Sequence, residues 1–210
     1  SYKDLTYGSE SELEALTDLV PLYRGKELFE LLSDDEAYAD YLKDLFINTL
    51  SSRSTITDGG ANLLNSLLEE GDYYNFFRVV VNNPFRNDLP ITVEKLDTLL
   101  LPMRMVERDE MWTQLISGET ELYNPLMALA KWGWSASPSI IGSIEKGCLR
   151  NIVHLLAWTL STTYIELRDK SSRALINILK NEQELILDFI STFVKVDDPY
   201  IVERVYAVVF

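Results

Sequence analysis

Apolar residues recur along most of the chain at intervals of three and four positions, the spacing that places side chains on one face of an α-helix. Separate stretches of sequence repeat this pattern, so we predict a series of helices. The clearest sets are Tyr38, Tyr41, Leu42, Leu45 and Phe46; Leu63, Leu64, Leu67 and Leu68; Ile152, Leu155, Leu156 and Leu160; Leu167, Ala174, Leu175 and Ile178, with Ser171 on the same face; and Ile186, Phe189, Ile190, Phe193 and Val194.

Polar residues and prolines indicate where several helices begin. Asp34-Asp35 is expected to cap a helix that runs to about Leu50, and Thr57 or Asp58 to cap the following one. Pro90 is expected to open a helix that continues through the leucines up to 101. Asp198 is expected to cap a last helix that has Pro199 at its first position, where proline is well tolerated.

Two segments are less regular. Tyr73–Val81 is rich in aromatic and β-branched residues, which suits a strand, but its helical neighbours favour a helix that ends before Pro84. Residues 135–139, which include Pro138, are expected to form a loop between a helix over Leu122–Trp134 and one over Gly147–Leu160.

The succession of helices and short breaks predicts an all-α fold. We expect about ten helices in antiparallel hairpins, stacked as a HEAT/TPR-like right-handed α-solenoid. Residues 1–210 are expected to form a single helical-repeat domain, less regular over 1–89 and better defined over 90–210. The chain begins without Met and ends within an apolar helical pattern at Phe210, so we expect a fragment of a longer chain.

The chain is acidic, with 33 Asp and Glu against 19 Lys and Arg and a net charge of -14. Nucleic-acid binding depends largely on clustered cations, so a nucleic-acid partner is not expected. No stretch approaches the roughly 20 apolar residues that a membrane span needs. No signal peptide is visible, so we expect no membrane partner and a cytoplasmic location.

Few residues offer recognisable chemistry. Cys148 is the only cysteine and His154 the only histidine, which excludes an intrachain disulfide and the usual Cys/His metal spacing. His154 lies in an apolar run and is expected to be a helix residue whose ring is satisfied by neighbours. Arg24-Gly25-Lys26 lacks the other residues of a phosphate-binding loop. We therefore expect no catalytic residues, no bound metal and no cofactor in this chain.

Three polar pairs lie near the starts of apolar helical stretches: Arg108-Asp109, Arg168-Asp169 and Glu203-Arg204. We predict a structural ladder in which each Asp caps or complements a helix and each Arg pairs with an acid of the next hairpin. On this hypothesis Arg168→Ala lowers the melting temperature. A variant that kept full stability but lost partner binding would contradict it.

Aromatic residues at helical spacing are interpreted as packing residues, chiefly Trp112, Trp158 and Tyr200. Trp132 and Trp134 are two positions apart and so cannot share a helix face, which leaves one of them to face a groove.

The order of four sequence blocks resembles the α-solenoid region of prokaryotic antiviral STAND NTPases, the AVAST group related to NLR immune receptors. The similarity covers roughly residues 40–210, and Asn48–Ser54 adds a weaker upstream match. Ser171 and Ser172 stand where that family usually has Ala and Thr, and Tyr164 where Asn is common. The blocks are Glu107-Arg108-Asp109 with Trp112; Leu156-Ala157-Trp158 with a Ser/Thr-rich end; Leu167-Arg168-Asp169 with Ala174-Leu175; and Asp198-Pro199-Tyr200 with Glu203-Arg204.

The resemblance implies a parent with an N-terminal effector, a central ATPase and a C-terminal helical sensor that recognises a phage protein, such as a structural or packaging protein. The present chain would then be a protein-interaction segment that also contacts neighbouring domains of its parent. The alternatives are a generic HEAT-like scaffold in a cytosolic assembly and, least favoured, a helical ligand-binding or hydrolytic enzyme.

Overall fold

The computed structural model describes residues 10–32 and 36–210. Within these residues the regular structure is entirely helical, and no strand occurs, so the predicted all-α class is confirmed. The predicted cap Asp34-Asp35 lies outside the described residues. The α-helices are α1 Glu10–Arg24, α2 Leu28–Leu31, α3 Glu36–Thr49, α4 Asp58–Glu69, α5 Tyr73–Asn82, α6 Val93–Leu100, α7 Met105–Arg108, α8 Gln114–Gly118, α9 Thr120–Ser135, α10 Pro138–Ser143, α11 Lys146–Trp158, α12 Ile165–Asn181, α13 Glu184–Phe193 and α14 Pro199–Val209.

Several predicted boundaries are confirmed. Tyr73–Val81 is helical, within α5, and this helix ends before Pro84. Thr57 is the N-cap of α4, because its hydroxyl accepts a hydrogen bond from the Gly60 N–H at 3.1 Å. Asp198 caps α14, with Pro199 at the first helical position.

Other local predictions were wrong. The segment over 135–139 is not a continuous loop: Ser137 caps α10, and Pro138 occupies the first position of that short helix, where its missing N–H costs nothing. Pro90 does not open a helix, since α6 begins at Val93 after Thr92. The helical stretch that was expected to start near Arg108-Asp109 is interrupted by a π-helical segment, Asp109–Thr113.

The chain divides into two compact units. The first comprises residues up to Val79 with Leu89–Ile91. Its core includes Leu13, Leu28, Leu42 and Leu45, which come from α1, α2 and α3.

The second unit comprises Val80–Asp88 and Thr92–Phe210. At its centre is α11, which continues into a 3₁₀ turn, Thr159–Ser161. Every residue from 151 to 160 is buried. Helix α11 contacts α6 and α13, while α12 contacts α9 and α14, and among the described residues the contact between α9 and α12 is the most extensive one between two helices. Of these pairs, α11 with α13 and α12 with α14 are two helices apart along the chain, whereas α9 and α12 are three apart and α6 and α11 five apart.

Candidate functional site

Arg108 is the buried centre of a polar junction in the second unit. Its side chain is fully buried, and its Nη2 donates a hydrogen bond to the Asp197 carbonyl at 2.8 Å, just before α14. The guanidinium carbon lies 5.6 Å from the centroid of the Trp158 ring, a cation–π distance. Arg108 thus joins the end of α7 to α11 and to the entry of α14.

Charges of both signs meet at this junction. Burial lowers the pKa of Arg108, while the nearby carboxylates of Asp198, Asp109 and Asp197 act in the opposite direction. Burial likewise raises the pKa of Asp198, against the lowering effect of two backbone N–H donors of α14 and of Arg108. Asp198 accepts from the N–H of Tyr200 at 2.9 Å, so its main interaction is the helix cap.

Two buried tryptophans connect the π-helical segment to α11. Trp112 and Trp158 are both fully buried, and Trp112 Nε1 donates to the Trp158 carbonyl at 2.9 Å. That carbonyl lies where α11 gives way to the 3₁₀ turn, so it has lost its regular helical partner. Trp112 supplies a replacement, and the predicted packing role of these two residues agrees with their burial.

Hydroxyl groups bond the same two segments together. Thr113 donates to Asp109 Oδ1 at 2.9 Å and lies 3.2 Å from the Ser161 hydroxyl. The hydroxyls of Ser117 and Thr162 are also 3.2 Å apart. The hydroxyl groups of the two segments therefore form hydrogen bonds with one another, which indicates a role in holding the junction together.

A cleft of about 600 Å³ opens beside this junction, and we refer to it as the polar cleft. Several residues singled out from the sequence reach it, namely Asp109, Arg168 and Tyr200, together with Asp198. Its lining residues are Met105, Asp109, Thr113, Gln114, Ser117, Leu160, Ser161, Thr162, Thr163, Ile165, Arg168, Asp198 and Tyr200. Arg168 Nη1 donates to the Thr162 carbonyl at 3.4 Å, and its buried Nε makes no hydrogen bond within the described part of the chain.

The polar pairs of the proposed ladder have different surroundings. Arg204 forms an ion pair with Asp169 at 3.3 Å, which joins α14 to α12 as such a ladder requires. Arg108 and Arg168 bond to backbone carbonyls, and Glu203 is exposed. Asp109 and Asp169 do not occupy N-cap positions: Asp109 is the first residue of the π-helical segment, and Asp169 lies within α12, whose N-cap is Tyr164.

Tyr200 differs from the prediction of a packing residue, because its side chain is 65% exposed at the mouth of the polar cleft. Its position two residues after the cap Asp198 turns it away from the core, which Ile201 and Val205 of α14 enter instead. Trp132 packs edge-on against Phe85 at 5.3 Å between ring centroids and lines an apolar groove of about 360 Å³.

A second buried hydrogen-bond network surrounds His154, the single histidine. The sequence predicted that neighbouring residues would satisfy the hydrogen-bonding groups of its ring. His154 Nδ1 lies 2.7 Å from Asp97 Oδ2, and Nε2 lies 2.8 Å from Asp188 Oδ2. Trp158 Nε1 donates to the other oxygen of Asp97 at 2.8 Å. Both ring nitrogens therefore lie within hydrogen-bond distance of a carboxylate oxygen. The network ties α11 to α6 and α13.

The first unit contains a buried ion pair that sequence reasoning missed. Glu27 and Arg53 are both buried, and Arg53 Nη1 donates to Glu27 Oε2 at 2.7 Å. The Thr57 hydroxyl donates to the other oxygen of Glu27 at 2.9 Å, and the Arg53 guanidinium lies 4.7 Å from the centroid of Phe46. The weak match over Asn48–Ser54 was the only signal that pointed to Arg53.

Among residues 10–32 and 36–210, no group of three or more His, Cys, Asp or Glu side chains is arranged to hold a metal ion. In the same described part of the chain, no helix combines the length and apolar character needed to cross a membrane. Comparison with models of known protein families, with curated proteins and with solved structures gave no match to this chain.

Proposed function

We propose that this chain is a protein-interaction segment from the helical sensor of an antiviral STAND ATPase, and that it recognises a phage protein. Effector and ATPase chemistry would belong to other parts of the parent chain. The role of this segment would be to bind the phage protein and so control activation of the effector.

The convergence of the four sequence blocks carries this proposal. The blocks begin at 107, 156, 167 and 198, yet residues from each of them meet around Arg108 and the polar cleft. Arg108 of the first block donates to the Asp197 carbonyl, which directly precedes the fourth block. Trp112, also of the first block, donates to the Trp158 carbonyl of the second block. Arg168 of the third block lines the cleft. If the four sequence matches were accidental, their residues would not be expected to lie close together in the structure.

The contact pattern of the second unit supports a solenoid. In stacked helical hairpins, each helix packs against the equivalent helix of the next hairpin, two elements along the chain. The contacts of α12 with α14 and of α11 with α13 follow this alternation, and α9 contacts α12, while α6 contacts α11 across four intervening helices. We therefore propose two layers of helices, α9-α12-α14 and α6-α11-α13, as consecutive hairpins of a HEAT-like array.

The chemistry of the cleft favours binding over catalysis. Its hydroxyls bond mainly to one another and to backbone groups. The single histidine, the usual activator of a serine or threonine nucleophile, is held between Asp97 and Asp188. A surface of exposed Tyr, Thr and Gln side chains around a polar hollow suits contact with another protein.

The test uses the full-length parent gene in a bacterial host that is challenged with phages and with phage proteins co-expressed one at a time. Tyr200→Ala removes an exposed aromatic at the cleft mouth, and Tyr206→Ala is the matched control on the same helix, 48% exposed. We expect Tyr200→Ala to abolish protection and trigger-dependent growth arrest while Tyr206→Ala preserves both.

Absence of protection by the wild-type gene, together with an upstream sequence that lacks a phosphate-binding loop and an acidic Mg²⁺ motif, would reject the immune role and favour the generic scaffold. Protection that is equally strong in both variants would exclude the cleft as the recognition surface. Turnover of hydrolase substrates by the purified chain, lost on changing one acid or serine, would overturn the non-enzymatic assignment.

A further inference from the structure

The end of α9 is fixed against α12 by a close helix approach. A Cβ built on Gly133 would lie 2.9 Å from the Ala174 Cβ, so the two backbones approach more closely than any larger residue would permit. Asn177 of α12 donates its amide Nδ2 to the carbonyls of Gly133 and Ala136, both at 2.9 Å. These carbonyls belong to the end of α9, where regular helical partners are missing. Trp134, which lies between them, is therefore held on a rigid support.

Two cations lie over the ring of this tryptophan. Trp134 is 46% exposed, the Arg173 guanidinium carbon is 5.0 Å from its ring centroid, and Lys170 Nζ is 5.5 Å from it. Lys131, also exposed, lies one turn earlier on α9, on the same side of the helix. We call Trp134, Lys131, Lys170 and Arg173 the cationic tryptophan surface.

This surface differs in charge from the chain as a whole. Acidic residues outnumber basic ones by 33 to 19, yet three cations gather around one exposed tryptophan here. Lys170 has a carboxylate neighbour, Glu166, at 3.5 Å. Within the described residues, neither Arg173 nor Lys131 takes part in an ion pair. The local excess of positive charge is therefore available to a ligand.

The residue types also match those that dominate protein–protein binding energy. Tryptophan and arginine are the residues most enriched at binding hot spots, and a pre-ordered side chain loses little entropy on binding. A guanidinium stacked on an indole keeps its edge free to form a two-point contact with a carboxylate. The exposed ring edge beside it offers apolar contact.

We propose that the cationic tryptophan surface docks an acidic segment of a partner protein, in which Asp or Glu side chains bind Arg173 and Lys170 and an adjacent apolar side chain covers Trp134. Three cations are too few for a nucleic-acid backbone on a chain of net charge -14, because such binding requires many neutralised phosphates. The surface lies outside the polar cleft, so the inference stands without the family assignment.

The test is fluorescence anisotropy with a labelled peptide in which Glu and Asp alternate with Leu. The comparison probes are the same peptide with Gln and Asn in place of the acids, and a single-stranded oligothymidylate. Arg173→Glu and Trp134→Ala test the surface. Lys180→Glu is the matched control, because it makes the same change of charge at another exposed position of α12. Thermal unfolding of every variant establishes that each one is folded.

We expect the acidic peptide to bind wild type, the amide peptide to bind at least about tenfold more weakly, and Arg173→Glu and Trp134→Ala to weaken binding by about tenfold or more. Lys180→Glu should change affinity by less than about threefold. The inference is overturned by equal losses in Arg173→Glu and Lys180→Glu, by oligothymidylate binding with the same residue dependence, or by no acidic-peptide binding at millimolar concentration.

Discussion

Replacing Gly133 with alanine tests whether α9 and α12 approach so closely at this glycine that no larger residue fits there. The added methyl group would lie 2.9 Å from the Ala174 Cβ and 3.2 Å from the Ile178 Cδ1. The Ala174 Cβ cannot rotate away, because it is fixed directly to the backbone of α12. Relief therefore requires the helices to separate, which also strains the bonds from Asn177 to the end of α9.

The expected change in the free energy of unfolding is the balance of two effects. Overpacking of a well-packed core costs about 1–3 kcal/mol. Alanine in place of glycine stabilises a helix interior by up to about 1 kcal/mol, and by less here because α9 ends two residues later, at Ser135. We therefore expect Gly133→Ala to lower the free energy of unfolding by about 1–2 kcal/mol.

Urea unfolding followed by circular dichroism measures this difference. Gly142→Ala is the matched control, because its new Cβ would meet only Glu182 Oε1 at 3.9 Å. We expect that control to keep or slightly raise stability, and Ala174→Gly combined with Gly133→Ala to recover part of the loss. A Gly133→Ala variant as stable as wild type would refute the close contact.

Three further predictions concern the polar networks. Asp97→Ala removes the acceptor of a buried imidazole and a buried indole N–H, so we expect a loss of about 3–5 kcal/mol in urea unfolding. Arg168→Ala should cost about 1 kcal/mol if Arg168 is a structural rung, whereas unchanged stability with lost partner binding would make it a recognition residue. Asp198→Asn keeps a capping side chain but removes a carboxyl whose pKa is raised on folding by burial. The folded state binds the proton of this carboxyl more tightly than the unfolded state does, so the protonated carboxyl stabilises the fold of wild type at low pH. Wild type loses this contribution to stability as pH rises from the ordinary pKa of 3.8 through the raised pKa of the folded state, and the variant should not. Unfolding measured between about pH 3 and pH 6 should therefore show the variant gaining relative to wild type as pH rises.

Local signals predicted the helices well. The cap at Asp198 with Pro199 behind it, and the helical reading of Tyr73–Val81, depend on residues within a few positions of each other, and both are confirmed. The failures at Pro90 and Pro138 have a local origin as well. Proline marks the neighbourhood of a helix start without fixing the residue, so it preceded α6 by three positions and opened α10 where a loop was expected.

The candidate site was only partly predictable. The polar pairs were visible as a pattern, but the bonds of Arg108 to the Asp197 carbonyl and of Trp112 to the Trp158 carbonyl join positions far apart in sequence. A backbone carbonyl carries no residue-specific signal, so a single sequence cannot reveal it as a partner.

The two buried networks show the same limit. His154 could be expected to have a satisfied ring, but its partners Asp97 and Asp188 lie 57 and 34 positions away. Glu27 and Arg53 are 26 positions apart, so no local pattern of the sequence links them as a pair.

Burial of α11 on every side has a consequence for how the chain is made. Every residue from 151 to 160 is buried, partly by α6, which is synthesised earlier, and partly by α13 and α14, which are synthesised later. While the protein emerges from the ribosome, this apolar helix remains partly exposed to water until α13 and α14 have been synthesised. A nascent polypeptide stalled before Glu184 should therefore be a target for chaperones and proteases, whereas a chain that includes α13 and α14 should exchange its α11 amide protons more slowly than those elsewhere in that unit.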